Sequence, residues 1–364
     1  MKKIVFILPS LSHPRHHKRI HALKNKYQIE VFAFDRGVYN INALDGIEVG
    51  VLGEIENNKY WSRILNYKKV YSLIKRKRKK GVMFYFFSLD FAFIGSLLLK
   101  RNSYLYEIGD FTYSKLNNFI FKLFFKMDIG VIKRSYVTVL TSEGFLNYLV
   151  EKGIKIPKNK FLVLPNKMTY DILDFDRNRD EVNKKKGLRF GFVGILRFPN
   201  TILRFIKLIA EKYPEYTFIY YGDGGLKEEY LELTEMYPNI EYGGSFKNPD
   251  DLKRIYNDFD LHLACYDKST GLNQKIAEPN KLYESIYFGT PIIATKGTFL
   301  GNRVKELGIG YRIDASNNNS IIKFLESLNL KELNSFKKNM LEIPNSDLII
   351  DHSSLIEKIE GKDF

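Results

Sequence analysis

Short runs of β-branched and aromatic residues alternate along the chain with longer amphipathic stretches, and this alternation restricts the fold more than any other feature. It is the pattern of βαβ units, in which parallel strands are buried on both faces and connected by helices. In the first half, the runs at 3–8, 28–34, 82–87, 103–108, 136–141 and 161–165 predict strands, with helices over 15–25, 62–78 and 116–133. In the second half, strands are expected at 188–193, 216–221, 239–242, 260–265 and 291–295, with helices near 200–213, 226–236, 249–257 and 280–288. The fold class is therefore α/β, with two separate doubly wound parallel sheets.

At 364 residues the chain exceeds what one core usually organises. The polar segment DFDRNRDEVNKKKG at 174–187 precedes the fresh apolar strand LRFGFVG and reads as the connection. The expected organisation is a first domain over 1–170, a linker over 171–187, a second domain over 188–345, and a final helix within 346–364 that packs back on the first domain. One cysteine, Cys265, excludes an internal disulfide and points to a reducing, cytoplasmic setting. The start, MKKIVFILPS, breaks at Pro9 into charged sequence and reads as a buried strand rather than a leader. Asp90 and Ser88 interrupt the apolar stretch at 82–99, which reads as a buried strand followed by a buried helix rather than a membrane span.

Charge is uneven. Residues 1–170 hold 30 Lys+Arg against 12 Asp+Glu, whereas the rest of the chain holds 27 against 30. The excess includes KRKRKK at 75–80 and the aromatic, basic stretch FIFKLFFKMDIGVIKR at 119–134. Such a field attracts phosphate-rich partners, among them anionic lipid and lipid-linked pyrophosphate. Equally, the lysines could decorate a solvated surface. Nucleic acid is not favoured as the partner: no RNA-reading aromatic signature accompanies the lysines, and the 75–80 run ends a helix, where cations are stabilised.

Ligands of open α/β sheets bind beyond the carboxyl ends of the strands. Gly194, followed by Arg197, closes LRFGFV, and Gly222, Asp223 and Gly224 close YTFIYY. A glycine there permits close approach of a phosphate and an arginine pairs with it, although an ordinary strand-to-helix turn explains the same residues. The segment EPNKLYESIYFGTPIIA at 278–294 is more specific. Pro279 opens a helix and places Asn280 and Lys281 at its positive end, with Glu284 on the same face as Lys281. A cation can meet a diphosphate there while the carboxylate accepts ribose hydroxyls.

This segment resembles the C-terminal signature of glycosyltransferases grouped near family 4, Pro-x-Lys-x-x-Glu leading into Gly-x-Pro-Ile/Val, at Pro279, Lys281, Glu284, Gly289 and Pro291. GFVGILR, LTSEGF at 140–145, LPNK at 164–167 and SYLYEIGDF at 103–111 resemble other family segments in the same order. The resemblance implies a GT-B architecture, two Rossmann-like domains facing a central cleft, with the nucleotide-sugar held by the second. It further implies a donor site that needs no metal and no cofactor, the diphosphate on Arg197 and Lys281, and the ribose on Glu284. UDP is the default base. Many retaining members carry a second glutamate eight residues earlier, where this chain has Ile276, with Glu278 out of register.

The first domain is then expected to bind the acceptor, an oligosaccharide or lipid-linked glycan of surface polysaccharide or capsule biosynthesis, at the anionic inner membrane face. The loop PSLSHPRHH offers His13 as a general base and Arg15 and His16 as acceptor contacts, or else simply exposed histidines. Asp110 suits a catalytic base or the N-cap of a helix starting near Tyr113. Asp90 suits an acceptor contact or a cap, and Glu107 a structural network. A nucleotide-sugar 2-epimerase shares the architecture, and a non-enzymatic polyanion-binding protein shares the charge. A dinucleotide oxidoreductase is disfavoured because no strand is followed by a full Gly-x-Gly-x-x-Gly turn.

Overall fold

The computed structural model describes residues 2–10, 13–35, 46–55, 60–169, 177, 181–182 and 187–362. The chain forms two compact units, Met1–Asn166 with Asp351–Phe364, and Lys167–Ile350.

The first unit runs β1 (Lys3–Leu8), α1 (Pro14–Lys24), β2 (Gln28–Asp35), β3 (Val49–Glu54), α2 (Tyr60–Lys77), β4 (Val82–Phe86), α3 (Leu89–Leu98), β5 (Tyr104–Ile108), α4 (Asn118–Arg134), β6 (Val137–Leu140), α5 (Glu143–Glu151) and β7 (Phe161–Val163). The sheet order is β3-β2-β1-β4-β5-β6-β7, all parallel. The order reverses between β1 and β4, which makes the carboxyl ends of those two strands a switch point. β1 reads as a nearly unbroken apolar run because Ile4 to Leu8 are fully buried between two neighbours. The stretch 82–99 is β4 followed by α3, and no described helix is long and apolar enough to cross a membrane.

The second unit runs β8 (Arg189–Val193), a π-helical turn (Pro199–Leu203), α6 (Arg204–Lys212), β9 (Thr217–Tyr221), α7 (Lys227–Met236), β10 (Ile240–Tyr242), α8 (Leu252–Asn257), β11 (Leu261–Ala264), α9 (Leu272–Ile276), α10 (Asn280–Tyr287), β12 (Ile292–Thr295), α11 (Phe299–Glu306), β13 (Gly310–Ile313), α12 (Asn318–Glu326), α13 (Leu330–Glu342) and α14 (Asn345–Leu348). Its parallel order, β10-β9-β8-β11-β12-β13, places the switch point between β8 and β11. Helix α15 (Ser353–Glu360) follows and belongs to the first unit.

The unit boundaries differ from those expected at residues 170 and 346. The first unit ends at Asn166, and described residues of the expected linker belong to the second unit. Val182 is buried in its core and donates its N–H to Asn334 Oδ1 at 3.0 Å. Arg177 donates to the Ile343 and Met340 carbonyls at 2.7 and 2.6 Å. Few of these residues are apolar, so composition alone reads the segment as a tether. The chain enters and leaves the second unit at one place, where Met168 donates to Leu348 O at 3.0 Å and Ile350 donates to Met168 O at 2.9 Å. Helix α15 then buries Leu355 and Ile359 in the first unit's core beside Tyr27 and Val137.

A buried acid lies on α4. Asp128 Oδ2 accepts from Tyr113 Oη at 2.7 Å within a cluster of aromatic rings, and its Oδ1 is buried without a hydrogen-bond partner. Burial pushes this carboxyl up to about 7, although the Tyr113 and Tyr106 hydroxyls favour its charged form. A folded-state value above the unfolded one means that stability falls as pH rises toward the folded value. Asp128→Asn removes this dependence, so its advantage over the parent should grow by about 1.4 kcal/mol per pH unit between roughly pH 4 and 7 and then level off. Thermal melts of both proteins across that range check it; a difference that is flat with pH counts against a protonated Asp128.

Candidate active site

In the second unit, three strand ends are knitted through backbone. Gly194 N donates to Tyr221 O at 3.0 Å, Leu196 N to Asp223 O at 2.9 Å, and Gly222 N to Gly244 O at 2.9 Å. A Cβ on Gly222 would lie 1.9 Å from Gly194 O, and one on Gly224 would lie 2.4 Å from Leu196 O. These two glycines are therefore required by the close approach of neighbouring loops, whatever binds above them. Asp223 is exposed and accepts from Lys227 Nζ at 2.8 Å and Ser245 Oγ at 2.6 Å; the hydrogen bond from Lys227 leads the causes that hold its carboxyl below the usual range. Arg197 is exposed, its guanidinium 4.7 Å from the ring centroid of Phe198, which itself takes a left-handed φ of 70°.

Across the switch point, the residues after β11 meet the turn after β8. Asp267 is buried; its Oδ2 accepts from Asn200 Nδ2 at 3.1 Å and its Oδ1 from the Ser269 N–H and hydroxyl at 2.9 and 2.5 Å. Burial alone would raise this carboxyl, but the Ser269 and Asn200 donors outweigh it and hold it low. Thr201 Oγ1 donates to Cys265 O at 2.7 Å, fixing the π-helical turn to the same strand end.

Helix α10 begins in this region. Pro279 precedes it with extended backbone, and Asn280, Lys281 and Glu284 occupy its first turn and the position beyond. Glu284 is 2% exposed. Its Oε1 accepts from Asn280 Nδ2 at 2.6 Å and Asn248 Nδ2 at 3.3 Å, and its Oε2 from Tyr256 Oη and Lys281 Nζ, both at 2.9 Å. Lys281 also lies 5.6 Å from the Phe246 ring centroid. Below them His262 Nδ1 pairs with Ser285 Oγ at 2.7 Å; burial, with Lys281 nearby, pulls this imidazole down to about 3 and so keeps it neutral. The result is a buried carboxylate that orients a lysine at a helix N-terminus, an arrangement suited to an anionic ligand carrying hydroxyls. Glu278, out of register in the sequence, pairs with Arg303 of α11 at 3.5 Å.

In the first unit, Glu107 at the end of β5 is the charged centre. Its oxygens face Arg19 at 3.1 and 3.4 Å, Arg15 at 3.2 Å and the Tyr85 hydroxyl at 2.5 Å. Arg19, fully buried, also donates to Leu164 O at 3.1 Å and meets His352 Nε2 at 3.0 Å. Arg15 lies across Gly109, where any Cβ would be 1.6 Å from its Nη1. His13 stands exposed at the N-cap of α1.

Two expectations change here. His16 is 1% exposed, not a surface histidine: its Nδ1 meets Ser10 O at 2.8 Å and its ring packs 4.4 Å from Phe87. Burial and then the Arg15 charge keep it neutral. Asp110 is exposed and caps no helix, because residues 111–116 form turns and α4 starts at Asn118, capped by Asn117 Oδ1 accepting from Ile120 N at 3.0 Å. Asp90 sits in the first turn of α3 and accepts from Tyr67 Oη at 3.3 Å. Among the described residues, no group of three or more His, Cys, Asp or Glu is placed to hold a metal ion.

No family model matches the chain. An uncharacterized glycosyltransferase of Methanocaldococcus jannaschii is 26% identical over 213 residues, covering 55% of this chain and 47% of the relative. The chain thus spans about half the length of the curated relative it matches. Solved structures match along nearly the whole chain. HepE of Anabaena, in complex with UDP, superposes with a TM-score of 0.64 at 13% identity, covering 99% of this chain and 100% of HepE. Sucrose-phosphate synthase of Thermosynechococcus elongatus gives 0.69 at 11% identity, covering 99% and 98%. The chain has a GT-B fold.

Within the GT-B fold, the sequence signature places Asn280, Lys281 and Glu284 in one cluster. Sequence reasoning missed Asn248 and Tyr256, which complete the Glu284 shell from α8 and the segment before it. It also missed Asn200 and Asp267. The carboxyl-end rule, applied to β11 as it was to β8, would have found Asp267.

Proposed function

We propose that this chain is a glycosyltransferase that moves a sugar from a nucleotide-sugar, UDP-linked by default, to a glycan acceptor. The observation that carries the reading is the Asn280–Lys281–Glu284 cluster at the start of α10, beside the switch point of the second sheet. Lys281 and Arg197 would neutralise the donor diphosphate, aided by the helix N-terminus. No metal or cofactor would be needed there, so activity should persist in chelator. Glu284 would accept the ribose hydroxyls; the Asn248 amide, its longest contact at 3.3 Å, is the one to give way. HepE, solved with UDP and with UDP-glucose, supports uracil as the base.

The acceptor is proposed to be a lipid-linked glycan of surface polysaccharide or capsule biosynthesis, met at the cytoplasmic face of the plasma membrane. The charge of residues 1–170 supports this, as does a likeness to the lipopolysaccharide outer core galactosyltransferase WaaB, whose TM-score is 0.59 at 16% identity. Asp110 and His13, both exposed beyond first-sheet strands, are the groups proposed to take the acceptor proton, with Arg15 and Asp90 nearer the acceptor glycan. UDP release from UDP-sugars is the test, with and without isolated bacterial lipid-linked saccharides. Acceptor-dependent release that falls at least a hundredfold in Glu284→Gln supports the proposal. Conversion of the nucleotide-sugar without any acceptor would replace it with the epimerase reading.

A further inference from the structure

Helix α4 is apolar around most of its circumference, yet only part of it is covered. Phe121, Phe124 and Phe125 pack inward against Tyr113, Phe111 and Tyr148. On the other side Phe119 is 79% exposed and Leu123 52%, with Lys122 and Lys126 exposed beside them. Positions 119, 122, 123 and 126 are three and four apart, so these residues share one stripe. A solvated helix face is ordinarily polar, and leaving a phenylalanine and a leucine on it forgoes their burial.

Helix α3 packs against both α2 and α4. Leu97 of α3 is 69% exposed, and an apolar groove of 450 Å³ lined by Tyr67, Tyr71, Ile94, Leu97 and Leu98 lies between α2 and α3. The charge carried by the three helices is mostly basic. Helix α2 carries six Lys and Arg and α4 carries four, while the acids are Asp90 and the buried Asp128.

We infer that α4 is a membrane-docking helix, with Phe119 and Leu123 entering the acyl boundary of an anionic bilayer while the lysines of α4 and α2 meet lipid phosphates. Exposed apolar side chains interleaved with lysine, and few acids to repel phosphate, fit this partner. Aliphatic tips such as Leu123 and Leu97 have no stacking role on nucleic acid. The inference rests on the membrane part of the proposed function and assigns it a surface. It does not depend on the donor site.

Flotation with vesicles of phosphatidylglycerol and phosphatidylcholine, against pure phosphatidylcholine, tests it on the full chain. The parent should bind the anionic vesicles and not the neutral ones. Phe119→Ser/Leu123→Ser should weaken partitioning by at least about tenfold at unchanged melting temperature, since both side chains are exposed. Lys122→Glu/Lys126→Glu should weaken it most at low salt. Failure of the parent to bind at low salt would overturn the inference. So would full binding by the serine variant, or sedimentation showing that the stripe instead joins two copies of this chain. Titration of UDP into the same samples reads the donor site separately, so failure of one reading is distinguishable from failure of the other.

Discussion

Glu107→Ala is expected to destabilise the first unit by about 3–5 kcal/mol, the cost of leaving a buried charge without its partner. Arg19 has no exposure, and its remaining partners, a carbonyl and an imidazole, bring no negative charge to balance it. The neighbouring Arg15 would then add like charge without relief, because both cations converge on the same carboxylate. His352 shares the site; burial and then Arg19 pull its imidazole down to about 4, so it stands neutral opposite the guanidinium. Glu107→Gln keeps the shape but not the charge and should fall between parent and alanine. Urea unfolding followed by the fluorescence of Trp61, the one tryptophan and a residue of the first unit, measures this. A loss below about 1 kcal/mol would mean that the ion cluster is not a structural centre.

Glu284→Ala is expected to abolish nucleotide binding and also to cost about 2–4 kcal/mol of stability, because Tyr256 loses its acceptor and Lys281 its counter-charge within the protein. Tyr256 is fully buried, which makes the loss of this carboxylate beside its hydroxyl costly. Glu284→Gln separates the two effects. An amide of the same shape still accepts from Tyr256, and the asparagine amides can turn to match it, so melting should fall less than in the alanine variant while nucleotide affinity drops by about tenfold or more. Equal affinity in parent and glutamine variant would show that the carboxylate serves packing alone.

The parts of this fold that the sequence exposes are those fixed by local pattern. KIVFIL, VMFYF and TFIYY are buried on both faces and read as strands without ambiguity. β3 and β13 escape the pattern because their glycines break the apolar run and answer to neighbours: a Cβ on Gly50 would lie 2.5 Å from the Phe32 ring, and one on Gly310 would lie 2.0 Å from Ile292 O. Helix α5 has nine residues and begins at Glu143, just after β6 ends at Leu140, so its periodicity is short. At the candidate site, the one-turn cluster of Asn280, Lys281 and Glu284 is legible because helical spacing alone joins it. Tyr256 lies 28 residues from Glu284, and Arg19 lies 88 from Glu107, so only the folded sheet order brings these pairs together. Glycines 222 and 224 suggest a phosphate loop from sequence, whereas the backbone of residues 194–196 already demands them.

The start of α10 is proposed to hold the diphosphate and ribose of a nucleotide-sugar. Calorimetric titration of the parent and of Lys281→Ala with UDP, GDP, CMP and their common sugar conjugates tests it most directly. One nucleotide should bind the parent saturably at one site, with an affinity that falls by about a hundredfold in Lys281→Ala, where the cation meant for the diphosphate is gone. Binding that survives unchanged in Lys281→Ala, or a parent that binds none of these nucleotides, would contradict it.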